Sequence, residues 1–129
     1  MDMNKNIVKI PQVIVDLVNQ VFEIEKKVNN LKEENSLNRN INRIKTLFEE
    51  NLLNQTNGDM VKLSYHNPIN EEYKETRTDC DITILGDDVN DLIIVEVVKP
   101  IIYCTLLDNQ NFVKKIVQKG VVIVKSKNI

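Results

Sequence analysis

The densest group of side chains that could do chemistry is an acidic cluster between residues 71 and 81. Its members are Glu71, Glu72, Glu75, Asp79 and Asp81. Paired carboxylates transfer protons in acid–base catalysis and also bind hard cations such as Ca²⁺. Asp79 and Asp81, however, point to the same side of a predicted strand whose other side is apolar, and a solvated strand face explains them better. A second group, at residues 87, 88 and 91, is typical of a turn and lacks the full loop of a calcium site.

His66 is the only histidine of the chain. A nucleophile–base pair would need it beside Cys80, Cys104 or a serine, and nothing in the spacing supports that arrangement. Its position next to Asn67 and Pro68 is typical of a surface turn. The three glycines also exclude a glycine-rich loop for phosphate. The sequence therefore predicts no enzymatic activity, no cofactor and no metal site.

Composition limits the partners and the compartment. The formal net charge is −2 and the isoelectric point about 5.5, which argues against nucleic acid as a partner because phosphate binding needs a concentrated basic face. The apolar runs fall short of the ~20 residues that span a bilayer. No signal peptide is recognised, and the two cysteines form no CxxC motif. We therefore expect a cytoplasmic protein with reduced thiols and no membrane partner.

A seven-residue apolar repeat dominates the N-terminal third and predicts a long coiled-coil helix from about Pro11 to Glu34. The repeat predicts a homodimer whose interface is formed by Ile10, Ile14, Leu17, Val21, Ile24, Val28 and Leu31. Alternate spacings of four and three place residues 14, 21 and 28 at a positions and residues 10, 17, 24 and 31 at d positions. The core residue types favour a parallel pair, whereas the flanking charges favour an antiparallel one. An alternative is an intramolecular hairpin in which the repeat packs on the chain's own second helix.

The apolar pattern changes register near Asn35. It resumes one position earlier than the first register requires, at Leu37, Ile41, Ile44 and Phe48. A continuous helix could absorb the shift by local overwinding. We favour a break or bend instead, because Asn35 and Ser36 both compete with helical backbone hydrogen bonds and Ser36 can cap a second helix.

After Gly58 the period changes from helical to strand-like. Strands are predicted near residues 61–66, 78–84, 92–98, 101–107, 112–117 and 121–124. The apolar run 92–98 predicts a central strand, and Pro100 predicts a sheet edge or a bulge just after it. The fold class is therefore α+β, with a helical dimerisation region at residues 1–57 and a small all-β domain at residues 58–129.

Four short segments in the C-terminal half carry a resemblance to a known family. They are Tyr65 to Pro68, Thr78 to Ile82, Val95 to Pro100 with Tyr103, and Val117 to Lys125. Together with the order of a long helix, a second helical segment and a small β domain, they resemble GrpE-type nucleotide exchange factors.

The resemblance implies a co-chaperone without catalytic residues or cofactor. Its β domain would bind the ATPase domain of a DnaK-type chaperone and favour an opened cleft that releases ADP. Candidate contacts are the polar residues Lys74, Arg77 and Gln118 on the open sheet face and loops. The alternative is a coiled-coil adaptor or assembly protein whose β domain binds another protein or oligomerises.

Overall fold

The protein has a mixed α+β fold of two helices and six strands in the part of the chain that its structure, a computed structural model, describes. That part comprises residues 10–31, 36–49, 62–108 and 111–128. The elements are α1 (Gln12–Asn29), α2 (Leu37–Leu47), β1 (Lys62–His66), β2 (Cys80–Leu85), β3 (Leu92–Lys99), β4 (Ile101–Asp108), β5 (Asn111–Gln118) and β6 (Gly120–Ser126). The six predicted strands all form, within a few residues of the predicted bounds.

The first helix begins directly after Pro11, whose missing N–H is harmless at a helix start. The Pro11 carbonyl accepts a hydrogen bond from the N–H of Ile14 at 2.9 Å. Lys26 and Lys27 lie in the last turn, where they oppose the negative end of the helix dipole. With 18 residues, α1 is shorter than the coiled-coil helix that the repeat predicts. The predicted break at Asn35 lies outside the described residues.

The two helices pack against each other. Ile41 and Phe48 of the second helical segment are buried, and the Lys45 ammonium lies 3.4 Å from a carboxylate oxygen of Glu25 on α1. This contact is the one expected for the hairpin alternative, in which the repeat packs on the chain's own second helix.

The described residues divide into two compact units. The first unit draws on Met1–Ser64 and Cys104–Lys115, and the second on Tyr65–Tyr103 and Ile116–Ile129. The predicted domain boundary between residues 57 and 58 lies outside the described residues.

Strands β2, β6 and β3 form one three-stranded sheet in that order, and β1, β4 and β5 form another. The last strand of the chain, β6, lies in the centre of its sheet, parallel to β2 and antiparallel to β3. Gly120 permits close packing where β6 begins, because a Cβ there would lie 3.0 Å from Ile101 Cγ1 and 3.2 Å from Cys80 Sγ. The buried face of this sheet carries Ile94, Val97, Val122 and Val124.

The prediction of a central strand at residues 92–98 holds only in part: β3 stands last in the strand order of its sheet, but residues 70–73 hydrogen-bond to its outer side. Register shifts between Ile94 and Glu96 and between Val97 and Lys99 interrupt its pairing with β6. These shifts leave Val95 and Val98 exposed. The apolar run therefore does not reflect burial on both faces. The prediction of an edge or bulge near Pro100 agrees with this placement.

Candidate functional site

An ion-pair cluster forms where the sequence placed its acidic group. The Arg77 guanidinium donates to Glu71 Oε1 at 2.7 Å, to Asp79 Oδ1 at 2.6 Å and to the Glu72 carbonyl at 3.0 Å. The other Glu71 carboxylate oxygen is hydrogen-bonded to His66 Nε2. Arg77 thus ties the loop after β1 to the start of β2.

The electrostatics of this cluster favour its charged forms. Partial burial is the largest single influence on Glu71 and Asp79 and opposes their ionisation, but the hydrogen bonds and charge of Arg77, joined at Glu71 by His66, together outweigh it and hold the pKa of both carboxyls below the usual range. Burial likewise opposes the charge on Arg77, but Asp79 and Glu71 raise its pKa. Neither carboxyl is a proton donor near neutral pH, so the chemistry of this cluster is structural charge pairing.

Replacing Arg77 by glutamine is expected to lower the free energy of unfolding near pH 7 by about 1–2 kcal/mol, a value reduced for the partial exposure of Glu71. Because the pKa of Glu71 and Asp79 is depressed in the folded protein, their contribution is present above the ordinary carboxyl pKa and is lost as the pH falls through the folded values. Urea unfolding between pH 7 and pH 2 measures this loss, which should be smaller in Arg77→Gln. The control is Lys74→Gln. Parallel stability curves for the unchanged chain and Arg77→Gln would contradict the prediction.

Both thiols are buried and free. Burial, followed by the nearby Asp79 carboxylate, raises the pKa of Cys80 to about 11. Burial also raises the pKa of Cys104, although Lys115 opposes it. A reactive cysteine needs a lowered pKa and some exposure. These two side chains instead fill the core, as the sequence indicates.

An open groove of about 550 Å³ runs beside β2 in the second unit. Apolar side chains from β2, from the turn that follows it and from the start of β3 provide much of its surface, and a loop before β2 contributes charged groups. The groove is lined by Tyr73, Lys74, Glu75, Thr76, Ile82, Ile84, Val89, Asp91 and Leu92. Its combination of apolar and charged groups is suited to binding a ligand.

The predicted dimer interface divides into two sets along α1 and the residues just beyond its ends, where Ile10 and Leu31 lie. Val21 and Val28, at a positions, are buried in the chain. Leu17, Ile24 and Leu31, at d positions, are 50%, 49% and 54% exposed. The remaining two predicted residues, Ile10 and Ile14, are partly buried. We call Leu17, Ile24 and Leu31 the d stripe.

The three predicted partner contacts lie in different surroundings. Lys74 lines the groove. Arg77 is engaged by Glu71 and Asp79. The side-chain amide of Gln118 donates to the Pro100 carbonyl at 3.0 Å. Lys74 is the one of the three that the groove brings into a candidate site.

Sequence reasoning missed two features. The groove beside β2 had no signal in the sequence, because its walls come from separate segments. The second is the exposure of Leu37 and Ile44: the sequence placed both in the apolar set of the second helix but did not show that they stay exposed while Ile41 and Phe48 are buried.

Comparisons with protein-family models, with curated proteins and with solved structures found no match to this chain. Neither described helix is both long and apolar enough to cross a membrane. In the same described part of the chain, His, Cys, Asp and Glu side chains form no group of three or more that could hold a metal ion.

Proposed function

We propose that this protein is a non-enzymatic assembly adaptor that pairs with a second copy of itself through its helices and uses its β-stranded residues to bind another protein. The observation that carries the proposal is the d stripe. Leu17, Ile24 and Leu31 recur every seven residues, yet about half of each side chain is exposed. A seven-residue apolar recurrence on a helix surface is the spacing that another helix covers.

The apolar surface is large enough to support association. It combines the d stripe with Leu37 and Ile44. Covering the exposed half of each of these five side chains gains roughly 1 kcal/mol per residue, so two copies gain roughly 10 kcal/mol before the cost of association. A two-fold pair presents the same surface from both copies, and micromolar dimers need about 8 kcal/mol net. Association costs at least about 4 kcal/mol, which leaves roughly 6 kcal/mol and a dissociation constant on the order of tens of micromolar, so weak dimerisation is the expected strength.

The burial of Val21 and Val28 decides which residues remain for a partner. In a bare two-stranded coil both the a and the d positions face the second helix. Here the a positions at residues 21 and 28 are already buried in the chain, which leaves the d stripe for the second copy. The pairing we propose is therefore between two packed helix pairs, as in a small bundle.

The oligomeric state of the intact chain tests this function. Light scattering coupled to size exclusion should give a dimer at concentrations of tens of micromolar, roughly where dimers of this strength form. A monomer at that concentration would contradict the proposal.

The exchange-factor activity that the resemblance implies stays a prediction. If it holds, adding this protein to a DnaK-type chaperone from the same cell should raise the dissociation rate of a fluorescent ADP analogue. The physical reason is reciprocity: a protein that binds ADP-loaded chaperone more weakly than empty chaperone must loosen ADP by the same factor. Stopped-flow fluorescence measures the rate, and an unchanged rate at saturating protein would leave only the adaptor.

A further inference from the structure

One edge of the sheet β2-β6-β3 has no neighbouring strand in the described part of the chain. The Gly120 N–H donates to the Asp79 carbonyl at 2.9 Å, and Cys80 is the Cα partner of Gly120. Alternate residues of a strand direct their backbone groups to opposite sides. The backbone groups of residues 81, 83 and 85 therefore face β6, and those of residues 80, 82 and 84 face outward.

The opposite edge of the same sheet is covered by the chain itself. The N–H of Ile94 donates to the Glu71 carbonyl at 2.9 Å, and the Ile94 carbonyl accepts from Asn70 at 2.9 Å. The N–H of Tyr73 donates to the Leu92 carbonyl at 3.0 Å. One edge of this sheet is thus satisfied by residues 70–73, whereas no segment within the described ranges pairs with the outward backbone groups of β2, and such an edge is the usual template for an added strand.

The groove lies over the face of the sheet to which Ile82 and Ile84 extend, and its lining continues to the start of β3. Ile82 and Ile84 extend from the same face of β2 and line it, and Val89 and Leu92 add further apolar surface. Ile84 is 37% exposed and Val89 is 61% exposed, so the apolar surface is open to a ligand. A strand added along β2 would direct every second side chain toward this surface.

The charges around the groove select among peptides. Glu75 and Asp91 contribute two negative charges and Lys74 one positive charge. The acidic turn residues Asp87 and Asp88 follow β2 directly. The excess of negative charge favours a ligand with basic residues at its ends.

We propose that the outer edge of β2 binds an extended peptide segment of a partner protein, which adds to the sheet as a fourth strand. Its alternate apolar side chains extend over the sheet face that carries Ile82 and Ile84, at the β2 side of the groove, and its flanking basic residues face Glu75 and the acidic turn after β2. This inference rests on the proposed adaptor function, since it gives the chemistry of the partner. It does not depend on the d stripe, which lies along and just after α1, so the two fail independently.

Two adjacent residues provide a matched test. Ile84→Lys places a charge in the groove, whereas Leu85→Lys places the same charge on the opposite face of β2, and the two parent side chains are 37% and 47% exposed. The probe is a fluorescein-labelled peptide in which valine alternates with threonine between terminal lysines, matched in length to the six residues of β2. Fluorescence anisotropy should show saturable binding by the intact chain that is at least about tenfold weaker in Ile84→Lys and little changed in Leu85→Lys.

Two further arms test the backbone and the charge. Hydrogen exchange of the free protein should be fast at the amides of Ile82 and Ile84 and should slow when the peptide binds. A peptide with glutamates in place of the terminal lysines should bind at least about tenfold more weakly. A peptide methylated at every second backbone nitrogen, so that the N–H groups along one edge are lost, should be weakened by a similar factor. The proposal is overturned if no saturable binding occurs, if both lysine variants weaken binding equally, or if the glutamate peptide binds as well. Protection of these two amides in the free protein, as in pairing between two copies, would overturn it too.

Discussion

A chain carrying both Leu17→Lys and Ile24→Lys is expected to be a folded monomer at concentrations where the unchanged chain is a dimer. Both parent side chains are half exposed in the single chain, so lysine at these positions costs the fold little. In the proposed dimer the same positions lie in the interface, where two unpaired charges per copy are strongly unfavourable. We expect the dimer dissociation constant to rise on the order of 100-fold or more.

The control for this variant adds the same charge elsewhere on α1. Gln12 and Asn30 are exposed and lie outside the d stripe, so a chain carrying Gln12→Lys and Asn30→Lys should dimerise like the unchanged chain. Light scattering gives the mass, and circular dichroism checks that both variants keep their helices. Equal dimerisation of the two variants, or loss of helix in the stripe variant, would contradict the assignment of residues 17 and 24 to the interface.

Replacing Phe22 by alanine is expected to lower the free energy of unfolding by about 3–5 kcal/mol. The Phe22 side chain is 1% exposed, and the Lys26 ammonium lies 5.1 Å from its ring centroid. Removing the ring leaves a cavity between α1 and its surroundings and also removes a cation–π contact. Since small domains are stable by about 5–15 kcal/mol in total, this one change removes a large share of the stability.

Urea unfolding followed by circular dichroism measures the effect on Phe22→Ala. The matched control is Val13→Ala on the same helix, where the side chain is 63% exposed and the expected change is within about 0.5 kcal/mol. A loss below about 1 kcal/mol for Phe22→Ala would mean that the ring is not part of the core.

The local elements of this fold follow from local patterns. Pro11 marks the start of α1, because proline is tolerated where a helix begins but disrupts the interior of a helix. The strands follow from period-two alternation, as in β2, where Cys80 is buried and Asp81 exposed. Strand β6 begins at Gly120, in the gap between the predicted strands at residues 112–117 and 121–124. Each of these signals involves neighbours in sequence, so the sequence alone suffices to read them.

The order of strands could not be read in this way. The parallel pairing of β2 with β6 joins residues about forty positions apart, and the apolar composition of β3 did not show that its outer side pairs with residues 70–73 rather than with another of the six strands. Alternation tells which face of a strand is apolar but not which strand lies beside it. The same gap hid the groove beside β2, whose walls come from three separate segments.

The sequence by itself determined that this chain is α+β, that its N-terminal helix carries a seven-residue apolar repeat, and that its cysteines are core residues. Only the tertiary structure decided which half of the repeat is already buried, since Val21 and Val28 lie inside while Leu17 and Ile24 remain exposed. It also decided that Arg77 pairs with Glu71 and that β2 stands at one end of the strand order of its sheet. The physical reason is that a periodic pattern specifies a face of one element, whereas burial, ion pairing and sheet edges depend on which distant element covers that face.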